Sequence, residues 1–220
     1  MTKILGIETS TAVGSLALVE DGRKVGEADI DTRLNHSARL LPTLDELLRG
    51  IGWEVSDLDG VGVGVGPGSF TGIRVGLAAA QGLTLGASIS LVGIGSFPAL
   101  ARGSALEEGI VVTLLDGGRG RIYGARYRRN GEGIEELSPP QVIENGKLKE
   151  LVVDSWIITP DGIRLRDRLE EIGIRKWEDS HPRALEIAFL AGEKLLTDPS
   201  DQLSAVEPLY LSRLNYSRKI

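Results

Sequence analysis

The chain has 220 residues, 41% hydrophobic and 25% charged, enough to bury one large domain or two small ones. It has no cysteine, which excludes disulfides, thiol catalysis and cysteine-held metals, and its two histidines, His36 and His181, are too far apart to form a helical ligand pair. A net charge of −6 argues against unassisted nucleic-acid binding; no apolar run is long enough to span a membrane and the N-terminus lacks a signal-peptide layout, so a cytoplasmic protein is expected.

Ile4 to Ile7 reads as a strand, interrupted by the small polar residues Glu8-Thr9-Ser10-Thr11. Val13 to Val19 resumes it, Asp21-Gly22 is a hairpin signal, and Lys24 to Ile30 returns. Ser37 to Arg49 carries Leu40, Leu41, Leu44, Leu47 and Leu48 on one stripe, an amphipathic helix closed by Gly50, with Pro42 either bending it or marking its regular start. Val61, Val63 and Val65 alternate with glycines in a short buried strand, which Gly66-Pro67-Gly68 breaks. Ser69 or Thr71 can then cap a helix running from about Thr71 to Leu85.

That helix is unusual in its glycines. Gly72, Gly76, Ala80 and Thr84 fall four apart, with Ala79, Gly82 and Gly86 beside them. Each interior glycine costs roughly 0.8–1 kcal/mol against alanine, so something must pack very close to offset them. Either the helix lies tight on its own sheet, or one side of it is a docking surface. Arg74 is its only charge, placed for a structural ion pair or for a contact with a partner.

A strand from Ile89 to Ile94 and a short helix from Phe97 to Arg102 complete the first half. The second half begins the same way: a strand from Ile110 to Leu115, an interruption at Asp116-Gly117-Gly118, a strand from Arg121 to Arg128, a turn at Asn130-Gly131 and a return over Ile134 to Leu137. Helix Lys147 to Leu151, strand Trp156 to Thr159, and helices Asp161 to Ile172 and Arg183 to Leu196 follow. The spacing from Glu8 to Asp21 nearly equals that from Asp116 to Asn130, and the β-β-β-α-β-α order occurs twice. An internal duplication accounts for this, with mixed sheets covered by helices and domains at 1–104 and 105–199; the segment 200–220 is free to pack back on the first.

Such a duplicated α/β architecture resembles the actin-like (ASKHA) superfamily, in which each half is an RNase H-like sheet. Those proteins hold ATP phosphates at the first hairpin of each half, where glycine lets backbone amides approach. The matching residues here are Glu8, Thr9 and Ser10, and Asp116 and Gly117. The first loop lacks the glycine, the second is followed by Arg119 and Arg121, and no adenosine-cradling Gly-Gly-x-x-x-Asn stretch occurs. The cleft is therefore expected to be degenerate, with no cofactor and at most weak ATP or ADP binding.

Six stretches together resemble the bacterial TsaB (YeaZ) family: ILGIETST at 4–11, NHSARLLP at 35–42, GVGPGSFTGIRVGL at 64–77, VGIGSFPALA at 92–101, LLDGGRGRIYGARY at 114–127 and EPLYLSR at 207–213. The third carries the turn residues Gly66, Gly68, Ser69, Thr71 and Arg74. The resemblance implies a non-catalytic dimerisation subunit of the tRNA threonylcarbamoyladenosine complex. Its partners would be TsaD, a metal-holding paralogue that transfers threonylcarbamoyl to the adenosine 3′ of the anticodon, and the small ATPase TsaE. Where TsaD has a His-x-x-x-His, Gly93 to Ala101 here has no histidine. The family implies no metal in this chain, a homodimer when it is alone, and tRNA reached only through the complex. The expected partner surface combines Leu40, Leu41, Leu44, Leu47 and Leu48 with Gly72, Ile73, Gly76 and Ala80; His36 is a helix-end residue or an interface contact. Two alternatives are an ATP-using kinase-like enzyme of the same fold and, because the family has been called glycoprotease-like, a hydrolase. Ser69 and Ser96 lack a neighbouring base in sequence, which a hydrolase would need.

Overall fold

A computed structural model describes residues 1–31, 36–144, 146–197 and 206–211, with backbone only at 31 and 36–38. The first half opens with three antiparallel strands, β1 (Lys3–Glu8), β2 (Val13–Glu20) and β3 (Arg23–Asp31). Asp21 and Gly22 both adopt positive φ at the β2–β3 turn, as a tight hairpin requires. Helix α1 (His36–Ile51) follows, then β4 (Gly60–Gly64), α2 (Phe70–Ala87), β5 (Ser90–Ile94) and α3 (Ser96–Arg102). Strands β4 and β5 add parallel to β1, giving the order β3-β2-β1-β4-β5.

The second half repeats this. Strands β6 (Glu108–Asp116), β7 (Ile122–Asn130) and β8 (Gly133–Ile143) are antiparallel, and β9 (Trp156–Thr159) and β10 (Glu178–Asp179) add in parallel, in the order β10-β9-β6-β7-β8. Helices α4 (Leu148–Leu151), α5 (Gly162–Glu171) and α6 (Ala184–Thr197) intervene and follow. The two sheets thus share one strand order, and the chain is a duplicated RNase H-like α/β fold. Strand β8 runs past the expected end at Leu137, through Pro139 and Pro140. It is the edge of its sheet, where the missing N–H groups cost least.

The helices do not stay with the half that encodes them. Helix α6 lies on β1, β2 and β4 of the first sheet, whereas α3 packs on the second sheet. The expected boundary that assigned residues 105–199 to one domain is corrected accordingly: α6 belongs to the first sheet. The alternation in β4 shows why. Val61 and Val63 face the core shared with α1 and α2, and Gly60 and Gly62 face α6. A Cβ on Gly62 would stand 2.6 Å from the Ala191 methyl, and one on Gly60 2.6 Å from a Leu195 methyl. Only glycine lets α6 come that near. Arg102, buried on α3, ties the exchanged helices together by donating to Glu186 of α6 at 2.6 Å while lying over the Phe189 ring.

Helix α1 continues through Gly50 and ends at Gly52, whose positive φ allows Trp53 N–H to bond the Leu48 carbonyl at 3.0 Å. Pro42 lies inside the helix on its exposed side.

Candidate functional site: a docking face beside an interdomain cleft

The stretch after β4 is built around the first hairpin loop. Ser69 caps α2 by accepting from Gly72 N–H at 3.2 Å, and its own N–H donates to the Ser10 carbonyl at 2.6 Å. Thr9 Oγ1 donates to the Gly72 carbonyl at 2.8 Å. A Cβ on Gly72 would collide with the Thr9 carbonyl oxygen, one on Gly76 with Thr9 Oγ1, and one on Gly68 with the Ser10 carbonyl. The inward glycines of α2 therefore hold the β1–β2 loop of their own chain.

This decides between the two readings of the helix and corrects the expected partner surface. Gly72, Ile73, Gly76 and Ala80 are buried against the chain's own first half. Leu40, Leu44 and Leu48 are likewise core residues, and Leu47 is half-buried against Gly26. Of the leucine stripe only Leu41, 49% exposed, looks outward. His36 opens α1, but its side chain lies outside the described residues.

The opposite side of α2 is open. Phe70, Thr71, Arg74, Ala78, Gln81, Gly82, Leu85 and Gly86 are exposed, with Leu85 at 75% and Phe70 at 54%, and nothing lies within 4 Å of a Cβ built on Gly82 or Gly86. The segment 206–211 runs beside the N-terminal end of this strip. Leu209 N–H bonds the Val65 carbonyl at 2.8 Å, and the Tyr210 ring packs on Phe70 with centroids 5.6 Å apart. Arg74 has no ion pair among the described residues. Its guanidinium lies 3.8 Å from the centre of the Phe70 ring, and its Nε donates to the Tyr210 hydroxyl at 3.3 Å.

Between the two halves lies a cleft of about 660 Å³. Ser10, Asp116 and Gly117 line it as the duplicated loops suggest; Glu8 and Thr9 do not. Glu8 is fully buried behind the loop, its carboxylate accepting from Ser10 N–H at 2.5 Å and from Ser96 Oγ at 3.5 Å, close against Gly64. Burial raises its pKa above the ordinary carboxylate value despite those hydrogen bonds. The Glu8 carboxylate does not line the cleft, and the turn at 66–72 packs on the Thr9 and Ser10 backbone, leaving Ser10, Thr11 and Ala12 along the cleft wall. The other hydroxyls are equally committed: Ser96 Oγ lies 2.9 Å from Ser10 Oγ.

The second half supplies the remaining charge. Asp116 Oδ1 accepts from Gly118 N–H, and Asp161 Oδ2 accepts from Asp116 N–H, both at 3.0 Å. Burial raises the Asp161 pKa. Arg121 donates to the Gly117 and Gly118 carbonyls, at 3.4 Å, and Arg164 lies 3.8–3.9 Å from Asp116 and Asp161. His181 Nδ1 sits 3.2 Å from Thr11 Oγ1, joining the halves across the cleft, and burial lowers its pKa. Among the described residues no three His, Asp or Glu side chains are grouped to hold a metal ion, and no helix is long and apolar enough to cross a membrane.

Residues 31–195, well over half of the chain, match the family described as TsaD, tRNA N6-adenosine threonylcarbamoyltransferase. The Escherichia coli protein named tRNA threonylcarbamoyladenosine biosynthesis protein TsaB is 31% identical, over 95% of this chain and 94% of that protein. The chain belongs to the TsaB/YeaZ family. YeaZ from Pseudomonas aeruginosa shares its fold with a TM-score of 0.81 at 22% identity, covering 96% of this chain and all of that one. A tRNA N6-adenosine threonylcarbamoyltransferase from Nitratidesulfovibrio vulgaris is 37% identical over 54% of this chain, but only 38% of that longer protein is covered.

In this TsaB-family chain the motif turn 66–74 joins three features: the sealed first loop, the rim of the cleft and the outer face of α2. Sequence reading missed Phe70, Tyr210, Asp161, Arg164 and His181 as neighbours of that turn. Phe70 carried no distinguishing signal, because Ile73 and Leu77 stand at helical spacing from it and make it read as a core position. Tyr210 had none, since it meets Arg74 from 136 positions away.

Proposed function

We propose that the chain is a non-catalytic subunit for tRNA threonylcarbamoyladenosine formation, which binds a TsaD-type paralogue through the outer face of α2. The observation that carries this reading is the exposed strip Phe70, Arg74, Ala78, Gln81 and Leu85: an open helix face with small residues between larger apolar ones. Small residues at Ala78, Gly82 and Gly86 let a facing helix approach closely. A paralogue that shares this fold has equivalent helices to offer. In its absence a second copy occupies the same face, and a TsaE-type ATPase joins the assembled pair.

The cleft supports a binding rather than a catalytic role. A kinase-like reaction needs the first loop to meet phosphates, and that loop is pinned to α2 and the turn before it by two hydrogen bonds and by the close approach of Gly68, Gly72 and Gly76. A hydrolase needs a serine beside a base, and Ser69 and Ser96 are both engaged as caps or in the Glu8 network. ATP or ADP therefore binds the isolated chain weakly, with a dissociation constant well above about 1 μM, and tRNA binds only the complex.

Reconstitution with the same organism's TsaD-type and TsaE-type proteins tests the proposal. Co-purification with the paralogue, modification of tRNA only when all three are present, and no ATP turnover by this chain alone are expected. Equal modification without the chain, or turnover by the chain by itself, would overturn it.

A further inference from the structure

The outer face of α2 contains a single charge, and that charge is held in place without being neutralised. Phe70 lies under the Arg74 guanidinium, Tyr210 packs on Phe70, and the Tyr210 hydroxyl takes the Nε hydrogen. Among the described residues neither Nη1 nor Nη2 has a partner. Glu207 lines the same shallow groove with Leu77, Ala78, Gln81 and Pro208, yet forms no ion pair with Arg74. A guanidinium already stacked and hydrogen-bonded on one edge loses little freedom when its other edge is engaged.

Helix α2 itself offers no carboxylate to that free edge: it has no acidic residue from Phe70 to Ala87. In a symmetric α2-to-α2 contact with a second copy, Arg74 would meet the same helix again, with another arginine and no carboxylate. On α1, Asp45 is paired with Arg49 at 3.1 Å, which leaves Glu46 as that helix's other acid. We propose that Arg74 is the specificity-determining residue of the docking face: its free edge receives a carboxylate from the facing helix of the paralogue, favouring that partner over a second copy. Phe70 and Tyr210 position it. This rests on the docking reading above.

Isothermal titration of the full chain with the paralogue, and sedimentation of the chain alone, test it with Arg74→Gln and Tyr210→Phe. Arg74→Gln is expected to weaken binding to the paralogue about tenfold or more while self-association changes less than about twofold. Tyr210→Phe keeps the ring and removes the hydroxyl, so a smaller loss in the same direction follows. Raising salt from about 0.1 to about 0.5 M should weaken the wild-type heterodimer and have much less effect on Arg74→Gln. Paralogue binding unaffected by Arg74→Gln would overturn the inference. So would an equal loss of self-association, which would place the carboxylate on the second copy. If Arg74→Gln does not fold, the salt series on wild type decides: an affinity indifferent to salt overturns the inference. Failure of the docking reading is separate: Ala78→Arg would then leave both associations intact whatever Arg74 does.

Discussion

Gly72 and Gly76 lie in the N-terminal half of α2 and Gly82 and Gly86 toward its C-terminal end, and the two pairs have opposite surroundings. The first pair meets backbone and side chain of the β1–β2 loop at distances no side chain tolerates; the second meets nothing within 4 Å. Both lower helix propensity equally. Only the first is repaid within the folded chain, through the contacts that seal the loop. The open pair leaves a cost that monomer packing does not offset, at the end of the helix where Leu85 is also exposed. One helix therefore joins a packed stretch to an open one.

Substitutions in the two stretches should separate sharply. Gly76→Arg would drive a long cation into the space beside Thr9 and Ile7. Leaving a buried charge unpaired costs several kcal/mol, so the melting temperature should fall by roughly 10 °C or more. An unchanged melting curve would mean that this stretch is not packed as described. Gly72→Ala adds one methyl against the Thr9 carbonyl and should cost about 1–3 kcal/mol, measurable by denaturant unfolding.

Glu8 gives a test of the sealed loop by pH. Its pKa is raised in the folded state, so the fold favours the protonated acid. That stabilisation is complete below the unfolded value near 4.5 and is lost as pH rises through the folded pKa. Glu8→Gln removes the titration while keeping an acceptor for Ser10 N–H. It should melt above wild type at neutral pH, with the gap closing toward acid pH. A gap that stays constant with pH would show that Glu8 does not titrate in this way.

The smallest effect is expected in the open stretch. Gly82→Ala should stabilise the monomer by about 0.5–1 kcal/mol, raising its melting temperature by roughly 2–4 °C, because the new methyl meets no neighbour. A loss of stability there would put an unseen contact at that end.

Most of the architecture was legible because it is written in short-range pattern. Alternating valines, the Asp21-Gly22 turn and the leucine stripe fixed their elements to within a few residues, and the two matching loops revealed the duplication. The direction of the small face was not legible. A four-residue glycine spacing says that something comes close, and Thr9 or a partner helix would produce the same spacing. Nor could α6 be placed: the glycines of β4 require a close neighbour but do not say which helix. The cleft was half legible, since Asp116 and Gly117 follow from the duplication, while Glu8, fitting the same pattern, is longer than aspartate and turns inward between Ser96 and Gly64. Tyr210 beside Arg74 depends on the path of the whole chain.

The docking claim is tested most directly by the molar mass, from light scattering, of Ala78→Arg mixed with the TsaD-type paralogue. Ala78 is exposed in the middle of the strip, and arginine is a good helix former, so the monomer should keep its melting temperature. Two separate monomers are expected for Ala78→Arg, and a heterodimer for the wild-type mixture. A heterodimer of undiminished mass with Ala78→Arg would contradict the docking claim.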